Sequence, residues 1–324
     1  MIKIGVIGAG HLGKIHIHLL KEIKEFELIG FYDYDSEIAK KVAEEFKIKA
    51  FNCAEELFEN SDAIDIVTTT KSHFQYAQMA LENSKHLFIE KPITTTLEET
   101  AALLKLSRNK DIKIQIGHVE RFNPAFTAIQ KKCNNPMFIE SHRLAKFNPR
   151  GTDIPVIHDL MIHDIDIVLN IVKSEIKEIR ASGISIISKT PDIANARIEF
   201  ENGCVSNLTA SRISFKNMRK TRIFQKDAYI AIDFLEKKAD LIRIKDAEEN
   251  TNDPFTLIID PGERKTKKQI QFESPKISNN NAIKDELTSF YKSMINNTNT
   301  VVTIEDAYKA LDVADKISKQ LSKQ

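Results

Sequence analysis

The chain opens with Ile2-Lys3-Ile4-Gly5-Val6-Ile7-Gly8-Ala9-Gly10-His11-Leu12-Gly13, a stretch with an apolar start and a glycine-rich end. The β-branched residues at its start predict a short buried strand, and apolar residues from Ile15 to Ile23 recur at helical spacing. The order of strand, glycine turn and helix predicts a turn that holds a phosphate group at the helix N-terminus.

The glycine turn is predicted to bind a dinucleotide. Gly8 permits the tight turn, Gly10 lets the backbone approach a pyrophosphate, and Gly13 lets the helix pack closely. The predicted cofactor-binding residues of the turn are Gly8, Ala9, Gly10, His11, Leu12 and Gly13.

An acidic residue follows the second predicted strand. The apolar run 26–32 ends in Asp33, about 20 residues after the last glycine of the turn. A carboxylate there can accept both ribose hydroxyls of adenosine and would repel a 2′-phosphate, so we expect NAD rather than NADP. The alternative is a glycine turn with an acidic surface residue beyond it, and the coincidence of strand, turn, helix, second strand and acid disfavours that interpretation.

Length and composition favour two domains. The chain has 324 residues, of which 42% are hydrophobic, enough for two cores. The net charge is +1 with both signs interspersed, which gives no electrostatic argument for nucleic acid or a membrane surface as a partner.

The location is predicted to be cytoplasmic. The first strand begins at Ile2, so we expect no signal peptide, and no apolar run approaches the thickness of a bilayer. Cys53, Cys133 and Cys204 lack CxxC spacing, which favours reduced thiols over disulfides or a zinc site.

Strand-like and helical segments alternate from Asp33 to Gly117. This alternation predicts an α/β domain over residues 1–120, a doubly wound parallel Rossmann sheet with its ligand at the carboxyl ends of the strands. The predicted helices are 36–46, 53–59, 74–83 and 97–109, and the predicted strands are 48–51, 63–68, 86–89 and 113–117.

Polar residues follow two of these strands. Thr68, Thr69 and His73 follow one, and Glu90 and Lys91 follow the next; all five are predicted to contact the cofactor. Proline at position 92 disfavours helix at Lys91 and would hold its ammonium at the edge of the cofactor crevice, where it could stabilise a developing alkoxide. The alternative from this tripeptide alone is a surface lysine beside a turn proline.

Beyond Gly117 the pattern changes to short alternating runs. They predict a second, α+β domain over residues 121–324, with a largely antiparallel sheet that leaves one face open. The predicted strands are 137–142, 176–187, 194–199, 205–211, 221–225 and 229–234, followed by helices at 283–290 and 304–314 that could pack back on the first domain.

One predicted helix carries a polar stripe of Asp159, His163 and Asp166, at positions i, i+4 and i+7. An imidazole that titrates near neutrality can act as a general base, and a carboxylate one turn away can orient it. A metal site that also uses His158 and Asp164 is disfavoured, since neighbouring residues point to different faces. The remaining alternative is a structural role for His163.

These residues resemble the glucose–fructose oxidoreductase, inositol dehydrogenase and MocA family (Gfo/Idh/MocA), two-domain nicotinamide-dependent enzymes that act mostly on sugars and polyols. The resemblance rests on Gly8-Ala9-Gly10 with His16 behind it, Asp33, the loop 68–73, and Glu90-Lys91-Pro92, in this order. It implies that Lys91, Asp159 and His163 are catalytic and meet over the nicotinamide.

The chain departs from the family pattern at two turns. Thr69 stands where the family usually has proline, and Ser84 stands where glycine is common. Both departures concern loop geometry more than chemistry.

Two further segments, 117–125 and 143–150, resemble the branch of this family that contains UDP-N-acetylglucosamine 3-dehydrogenases. Arg121, Arg143, Lys146 and Arg150 could bind a diphosphate, arginine in bidentate fashion, although solvated loop charges are the alternative for Arg143 and Lys146. Ile154-Pro155-Val156 replaces the glycine-containing approach to the helix usual in that branch. The predicted substrate-binding residues are Lys91, Arg121, Asn123, Arg150, Asp159 and His163.

The expected function is NAD-dependent dehydrogenation of a sugar hydroxyl, on a nucleotide-linked sugar such as UDP-N-acetylglucosamine. The alternatives are a dehydrogenase or reductase of a free sugar, polyol, imine or tetrapyrrole, and a non-catalytic NAD-binding regulator. The sequence leaves open whether Lys91 or His163 accepts the proton. The resemblance also implies a homodimer or homotetramer.

Overall fold

The computed structural model describes residues 1–149, 154–247, 256–260, 262 and 266–322. The chain divides into two compact units. The first comprises Met1–Phe122 and Asn280–Asp312, and the second comprises Asn123–Asn279 and Val313–Gln324. The last helix begins in the first unit and ends in the second.

The first unit contains a five-stranded parallel sheet in the order β2-β1-β3-β4-β5. The strand order reverses at β1, which is where doubly wound sheets open a ligand crevice. The strands are β1 (Ile2–Ile7), β2 (Phe26–Tyr32), β3 (Ala63–Ile66), β4 (His86–Glu90) and β5 (Ile114–Gly117).

Helices cover both faces of this sheet, which confirms the predicted doubly wound α/β fold. Their bounds are α1 (His11–Glu22), α2 (Ser36–Phe46), α3 (Ala54–Asn60), α4 (Thr70–Glu82) and α5 (Leu97–Ser107), followed by a 3₁₀ turn at Val119–Phe122. Alternate residues of β1 enter different cores, because successive side chains of a strand point to opposite faces. Val6 packs with residues of α1, α2 and the helix Ala282–Ile295, whereas Ile7 packs with residues of α3, α4, α5 and the helix Ile304–Leu321.

The strand predicted at residues 48–51 is wrong. This segment makes one parallel bridge, between Ala50 and Phe31. In the backbone hydrogen bonds of this bridge, the Phe31 N–H donates to the Lys49 carbonyl and the Phe51 N–H donates to the Phe31 carbonyl. Gly30 takes a φ of 147°, and a side chain there would meet the backbone of Lys49, so the chain bends past the edge of β2.

The second unit contains a nine-stranded sheet in the order β13-β14-β12-β11-β10-β6-β9-β8-β7. All its pairs are antiparallel except β6 with β9, which confirms the largely antiparallel second sheet. The strands are β6 (Phe138–Leu144), β7 (Ile176–Ile184), β8 (Ile193–Phe200), β9 (Val205–Ser211), β10 (Met218–Phe224), β11 (Ala228–Asp233), β12 (Lys238–Asp246), β13 (Thr256–Ile259) and β14 (Lys268–Glu273).

The remaining helical segments complete the two units. They are α6 (Pro124–Ile129) with a 3₁₀ turn at Gln130–Lys132, a π-helical turn at Ile157–Met161, α7 (Ile162–Ile171), α8 (Ala282–Ile295) and α9 (Ile304–Leu321). Among the described helices, none is both long enough and apolar enough to cross a bilayer.

The two departures from the family pattern keep the backbone geometry that the usual residues would have. Thr69 has a φ of −71°, close to the value that proline enforces, and it precedes α4. Ser84 has a φ of 55°, in the left-handed region that glycine adopts without strain. Thr69 and Ser84 therefore occupy backbone φ values that proline and glycine also adopt.

Candidate active site

A pocket of about 610 Å³ opens in the first unit at the carboxyl end of β1. It brings together residues from the glycine turn, from the end of β2 and from the loop after β3. Its lining residues are Ile7, Gly8, Gly10, His11, Leu12, Tyr32, Asp33, Tyr34, Ile38, Val67, Thr68, Thr69, Ser72 and Tyr76.

The backbone of the glycine turn fits the predicted roles of its glycines. Gly8 has a φ of 96°, and a Cβ there would lie 2.8 Å from the carbonyl oxygen of Val67. A Cβ on Gly13 would overlap the carbonyl oxygen of Gly8, whereas a Cβ on Gly10 would meet no described atom within 4 Å. The turn is closely packed at Gly8 and Gly13, and open at Gly10, where a pyrophosphate would approach.

Helix α1 starts at this opening. Its N-cap is Gly10, and within the described chain no side chain caps its first amides and no acidic residue occupies its first turn. Uncapped amides and the positive end of the helix dipole favour an anion at this end. The residues present therefore fit a dinucleotide pyrophosphate.

Asp33 is fixed to the glycine turn. Its Oδ2 accepts a hydrogen bond of 2.7 Å from the Ala9 amide, and its Oδ1 accepts one of 3.0 Å from the Asp35 amide. Each carboxylate oxygen has a second lone pair, so the group can still accept ribose hydroxyls. Ala9 thus supports the pocket through its amide without lining it.

Sequence reasoning missed the side chains that flank Asp33. Tyr34 is 86% exposed and lines the pocket with Ile38, and Tyr76 lies opposite, edge-on to Tyr32 at a ring distance of 6.5 Å. A tyrosine directly after the acidic residue was the available signal, because an exposed aromatic ring next to a nucleoside site offers a stacking surface.

We expect Gly13→Ala to weaken NAD binding by about 10- to 100-fold, the loss of one or more charge-assisted hydrogen bonds to the phosphates. The added methyl would force the Gly8 carbonyl to move and would distort the turn. Titration calorimetry measures the dissociation constant, and thermal melting should show a lower Tm for the free protein.

Gly10→Ala is the matched variant, because its methyl meets no described atom within 4 Å and the backbone φ of −66° suits alanine. We expect weaker NAD binding with an unchanged Tm. Wild-type affinity in Gly10→Ala would contradict the pyrophosphate position.

The Glu90-Lys91-Pro92 turn follows β4, as the sequence predicts. Glu90 is buried and accepts the Lys91 amide at 3.1 Å; Lys91 is half-buried, and its bond to Pro92 is a cis peptide. Neither Glu90 nor Lys91 lines the pocket described above.

His73 supports this turn from α4 and is buried. Its Nδ1 lies 2.9 Å from the Pro92 carbonyl oxygen and its Nε2 lies 3.1 Å from the Thr68 carbonyl oxygen. Burial lowers the pKa of His73, although both carbonyls favour the charged form. The His73 ring thus lies as a brace between the loop after β3 and the turn after β4, and in its neutral form it donates an N–H to one of the two carbonyls.

In the second unit, Asp159 lies in the π-helical turn and His163 lies at the start of α7, and both are partly exposed. The prediction of one continuous α-helix is wrong here, since the Ile162 amide bonds to the Ile157 carbonyl, five residues back. Such π turns are frequent at functional sites. Asp166, the third residue of the predicted stripe, is buried.

The charged neighbours of His163 have partners of their own. Asp164 accepts two hydrogen bonds from Arg143, from Nε at 2.9 Å and from Nη2 at 3.1 Å. The Nε2 of His158 lies 2.8 Å from Asp315. Across the described residues, no three His, Cys, Asp or Glu side chains are grouped as they would be to hold a metal ion.

The predicted substrate-binding residues Arg121 and Asn123 are buried. Arg121 donates to the Val301 carbonyl and to Asp306, each at 3.2 Å. Asn123 caps α6 by accepting the Ala125 amide at 3.1 Å, and its amide donates to Phe234. Arg150 lies outside the described residues, and exposed Lys146 precedes it.

Two family models match the chain. The model GFO_IDH_MocA, the oxidoreductase family with an NAD-binding Rossmann fold, matches residues 2–118, and the GFO/IDH/MocA C-terminal domain matches residues 138–230.

Curated relatives include dehydrogenases of a nucleotide sugar and of inositols. The UDP-N-acetylglucosamine 3-dehydrogenase of Acidithiobacillus ferrooxidans is 39% identical over 235 residues, covering 72% of this chain and 74% of that protein. A scyllo-inositol 2-dehydrogenase (NAD(+)) of Bacillus subtilis is 28% identical over 236 residues, covering 66% of this chain and 68% of that protein.

A solved structure matches the chain from end to end. It is the UDP-N-acetylglucosamine 3-dehydrogenase GnnA from Acidithiobacillus ferrooxidans, with a TM-score of 0.89 and 31% identity, covering 99% of this chain and 98% of that one.

Proposed function

This chain belongs to the GFO/IDH/MocA oxidoreductase family, and from that membership we propose that it oxidises a hydroxyl of a nucleotide-linked sugar with NAD. The observation that carries the choice of substrate is the end-to-end similarity to GnnA, whose name states UDP-N-acetylglucosamine as its substrate. The retained Lys91, Asp159 and His163 support an enzyme rather than a non-catalytic regulator.

The pocket supports a nicotinamide dinucleotide as the cofactor. Residues of the glycine turn would hold the pyrophosphate and Asp33 would hold the adenosine ribose. When bound, the cofactor supplies the acceptor for the hydride.

The chain itself would handle the proton and the charge on oxygen. In this proposal His163 removes the hydroxyl proton, the Lys91 ammonium stabilises the negative charge that develops on that oxygen, and Asp159 orients the imidazole. The opposite assignment makes Lys91 the proton acceptor. The substrate roles of Arg121, Asn123 and Arg150 stay predictions.

Incubation of the purified protein with NAD and UDP-N-acetylglucosamine tests the function, with NADH absorbance as the readout. Free N-acetylglucosamine and myo-inositol are the comparison substrates, each at equal concentration. We expect NADH to form only with the nucleotide sugar, or to form at least tenfold faster with it than with either comparison substrate. Faster oxidation of a free sugar or polyol would contradict the substrate class, and no NADH with any of the three would contradict the proposed function.

We expect Asp33→Asn to raise the ratio of NADP affinity to NAD affinity by about tenfold or more, because it removes the charge that repels a 2′-phosphate. The amide oxygen can still accept the Ala9 N–H. Dissociation constants for both cofactors give the ratio.

Asp35→Asn is the matched control, since Asp35 caps α2 through the amides of Glu37 and Ile38. The ratio of NADP affinity to NAD affinity in Asp35→Asn should equal that of the wild type. A ratio in Asp33→Asn that also stays at the wild-type value would contradict the role of Asp33.

The protein is further proposed to be a cytoplasmic homodimer or homotetramer that pairs through the open face of its large sheet. Phe138 and Phe224 lie side by side on that face at a ring distance of 5.9 Å, and Phe224 is 39% exposed. Light scattering measures the mass, and a monomer at micromolar concentration would contradict the proposal.

A further inference from the structure

Three ionisable side chains form a buried cluster behind the Glu90-Lys91-Pro92 turn. His16 of α1 is 0% exposed, and its Nδ1 lies 2.9 Å from Oδ2 of Asp65, which belongs to β3 and is also fully buried. The Nε2 of His16 lies 3.3 Å from Oε1 of Glu90, the last residue of β4. The imidazole thus stands between two carboxylates of neighbouring strands.

The surroundings of His16 favour its charged form. Burial alone would lower its pKa, but the charge and hydrogen bond of Asp65, together with Glu90, raise the pKa of His16 to about 10. Buried carboxylates need a positive partner, and the imidazolium supplies one to each. Burial raises the pKa of Asp65, and the charge and hydrogen bond of His16 act against that rise. His73 also interacts electrostatically with Glu90, and burial lowers the pKa of His73.

Each oxygen of the Glu90 carboxylate has a neighbour of its own. One oxygen faces His16, and the other accepts the amide of Lys91 at 3.1 Å. Gly117 of β5 lies opposite Glu90 in the sheet, and a Cβ there would come within 2.8 Å of the Glu90 carboxyl carbon. The absence of a side chain at Gly117 therefore makes room for this orientation of Glu90.

We propose that His16 is a positioning residue for Lys91: its imidazolium, clamped between Asp65 and Glu90, fixes the Glu90 carboxylate, which in turn fixes the backbone from which the Lys91 side chain starts. The inference rests on the proposed function, because it requires Lys91 to act on the substrate. His16 touches neither substrate nor cofactor in this scheme.

His16→Gln tests the clamp. We expect turnover to fall by about 10- to 100-fold, the usual loss when a supporting residue lets a reactive group shift, with the dissociation constant for NAD within about twofold of the wild type. Turnover within twofold of the wild type would overturn the inference, and so would a loss that appears only in NAD affinity.

His18→Gln is the matched control, two residues along the same helix, where the His18 side chain is 65% exposed beside Glu22. It should keep wild-type turnover. A fall equal to that of His16→Gln would overturn the inference, because it would assign the loss to the helix rather than to the cluster.

A double variant tests whether His16 acts through Glu90. If it does, His16→Gln combined with Glu90→Gln should be no more than about twofold slower than Glu90→Gln alone, because the two residues belong to one chain of contacts. Losses that multiply would overturn the proposed route.

Asp65→Asn tests the charge of the imidazole. With one anion removed, the pKa of His16 should fall towards its ordinary value of about 6.5, and a neutral ring then loses its hold on Glu90. The turnover of Asp65→Asn should therefore decline as the pH rises. The pH of this decline should lie at least about one unit below that of the wild type. Superimposable pH profiles would overturn the inference.

Nitrogen NMR of the imidazoles gives a readout that does not depend on activity or on a variant that folds. In the wild-type protein with NAD, the His16 ring should stay doubly protonated from about pH 6 to pH 9. A titration midpoint within that range would overturn the inference. A wild type that oxidises none of the three substrates would contradict the proposed function alone, whereas an active wild type with an indifferent His16→Gln variant would contradict the clamp alone.

Discussion

Replacing Lys91 with alanine should lower turnover by about 10²- to 10⁴-fold, which is the range for losing a general acid–base group or a charge that stabilises a developing oxyanion. The dissociation constant for NAD should change by less than about threefold, because the pocket that would hold the dinucleotide is lined by other residues. Steady-state kinetics with the nucleotide sugar and titration calorimetry with NAD measure the two quantities.

Lys105→Ala provides the matched control, since Lys105 is an exposed lysine in the last turn of α5 in the same unit. It should behave as the wild type in both measurements. Turnover of Lys91→Ala within tenfold of the wild type would contradict the assignment of Lys91, and a parallel loss of NAD affinity would indicate a binding role instead.

Replacing Arg143 with methionine should destabilise the protein by about 3–5 kcal/mol, the range for breaking a buried ion pair from one side. Arg143 of β6 and Asp164 of α7 are 2% and 4% exposed. The guanidinium of Arg143 donates a hydrogen bond to each carboxylate oxygen of Asp164. Methionine fills much of the same volume but leaves the Asp164 charge without this partner. Urea unfolding of the second unit's sheet, followed by circular dichroism, measures the change.

Arg222→Met supplies the comparison, because Arg222 pairs with Glu140 on the neighbouring strand with side chains 45% and 37% exposed. An exposed pair contributes about 1 kcal/mol or less. The combined variant Arg143→Met, Asp164→Leu should recover most of the lost stability, because it removes both members of this buried ion pair. Equal effects of Arg143→Met and Arg222→Met would contradict this account.

The first unit was predictable from sequence because its signals are local. The helix at 36–46 and the succession of strand, glycine turn, helix and second strand follow from periodicity and from residues such as Asp33, and the structure confirms both. The segment 48–51 has the composition of a strand, but it makes a single bridge, between Ala50 and Phe31, next to Gly30 with its φ of 147°. The strand propensity of a segment does not show whether the segment finds a full-length partner strand.

The second unit was harder because its strands pair over long distances. The prediction stops at residue 234, while β12 to β14 continue the sheet through mixed polar segments such as 238–246, whose alternation is weak. The π turn at Asp159 was not predicted either, because one extra residue in a helical turn leaves the pattern of apolar residues almost unchanged.

Two parts of the candidate site could be predicted from the sequence: the glycine turn and the motifs that carry charged residues. Tyr34 and Tyr76 depend on which loops meet at the crevice, and so does the brace formed by His73. The burial of Arg121 was also hidden, because its partner Asp306 lies far along the chain.

Residues 280–312 belong to the first unit, although they follow the strands of the second unit in the sequence. On the ribosome they are therefore synthesised long after the rest of the first unit. Phe290 of α8 packs on Phe88 at a ring distance of 6.0 Å, Gln115 bonds to the Glu286 carbonyl at 2.8 Å, and Thr300 bonds to the Ile114 carbonyl at 2.7 Å. A nascent chain that has emerged only as far as Phe122 exposes these apolar and polar groups. The first unit can therefore be completed only after residues 280–312 have been translated, and a fragment that ends at Phe122 lacks part of this unit.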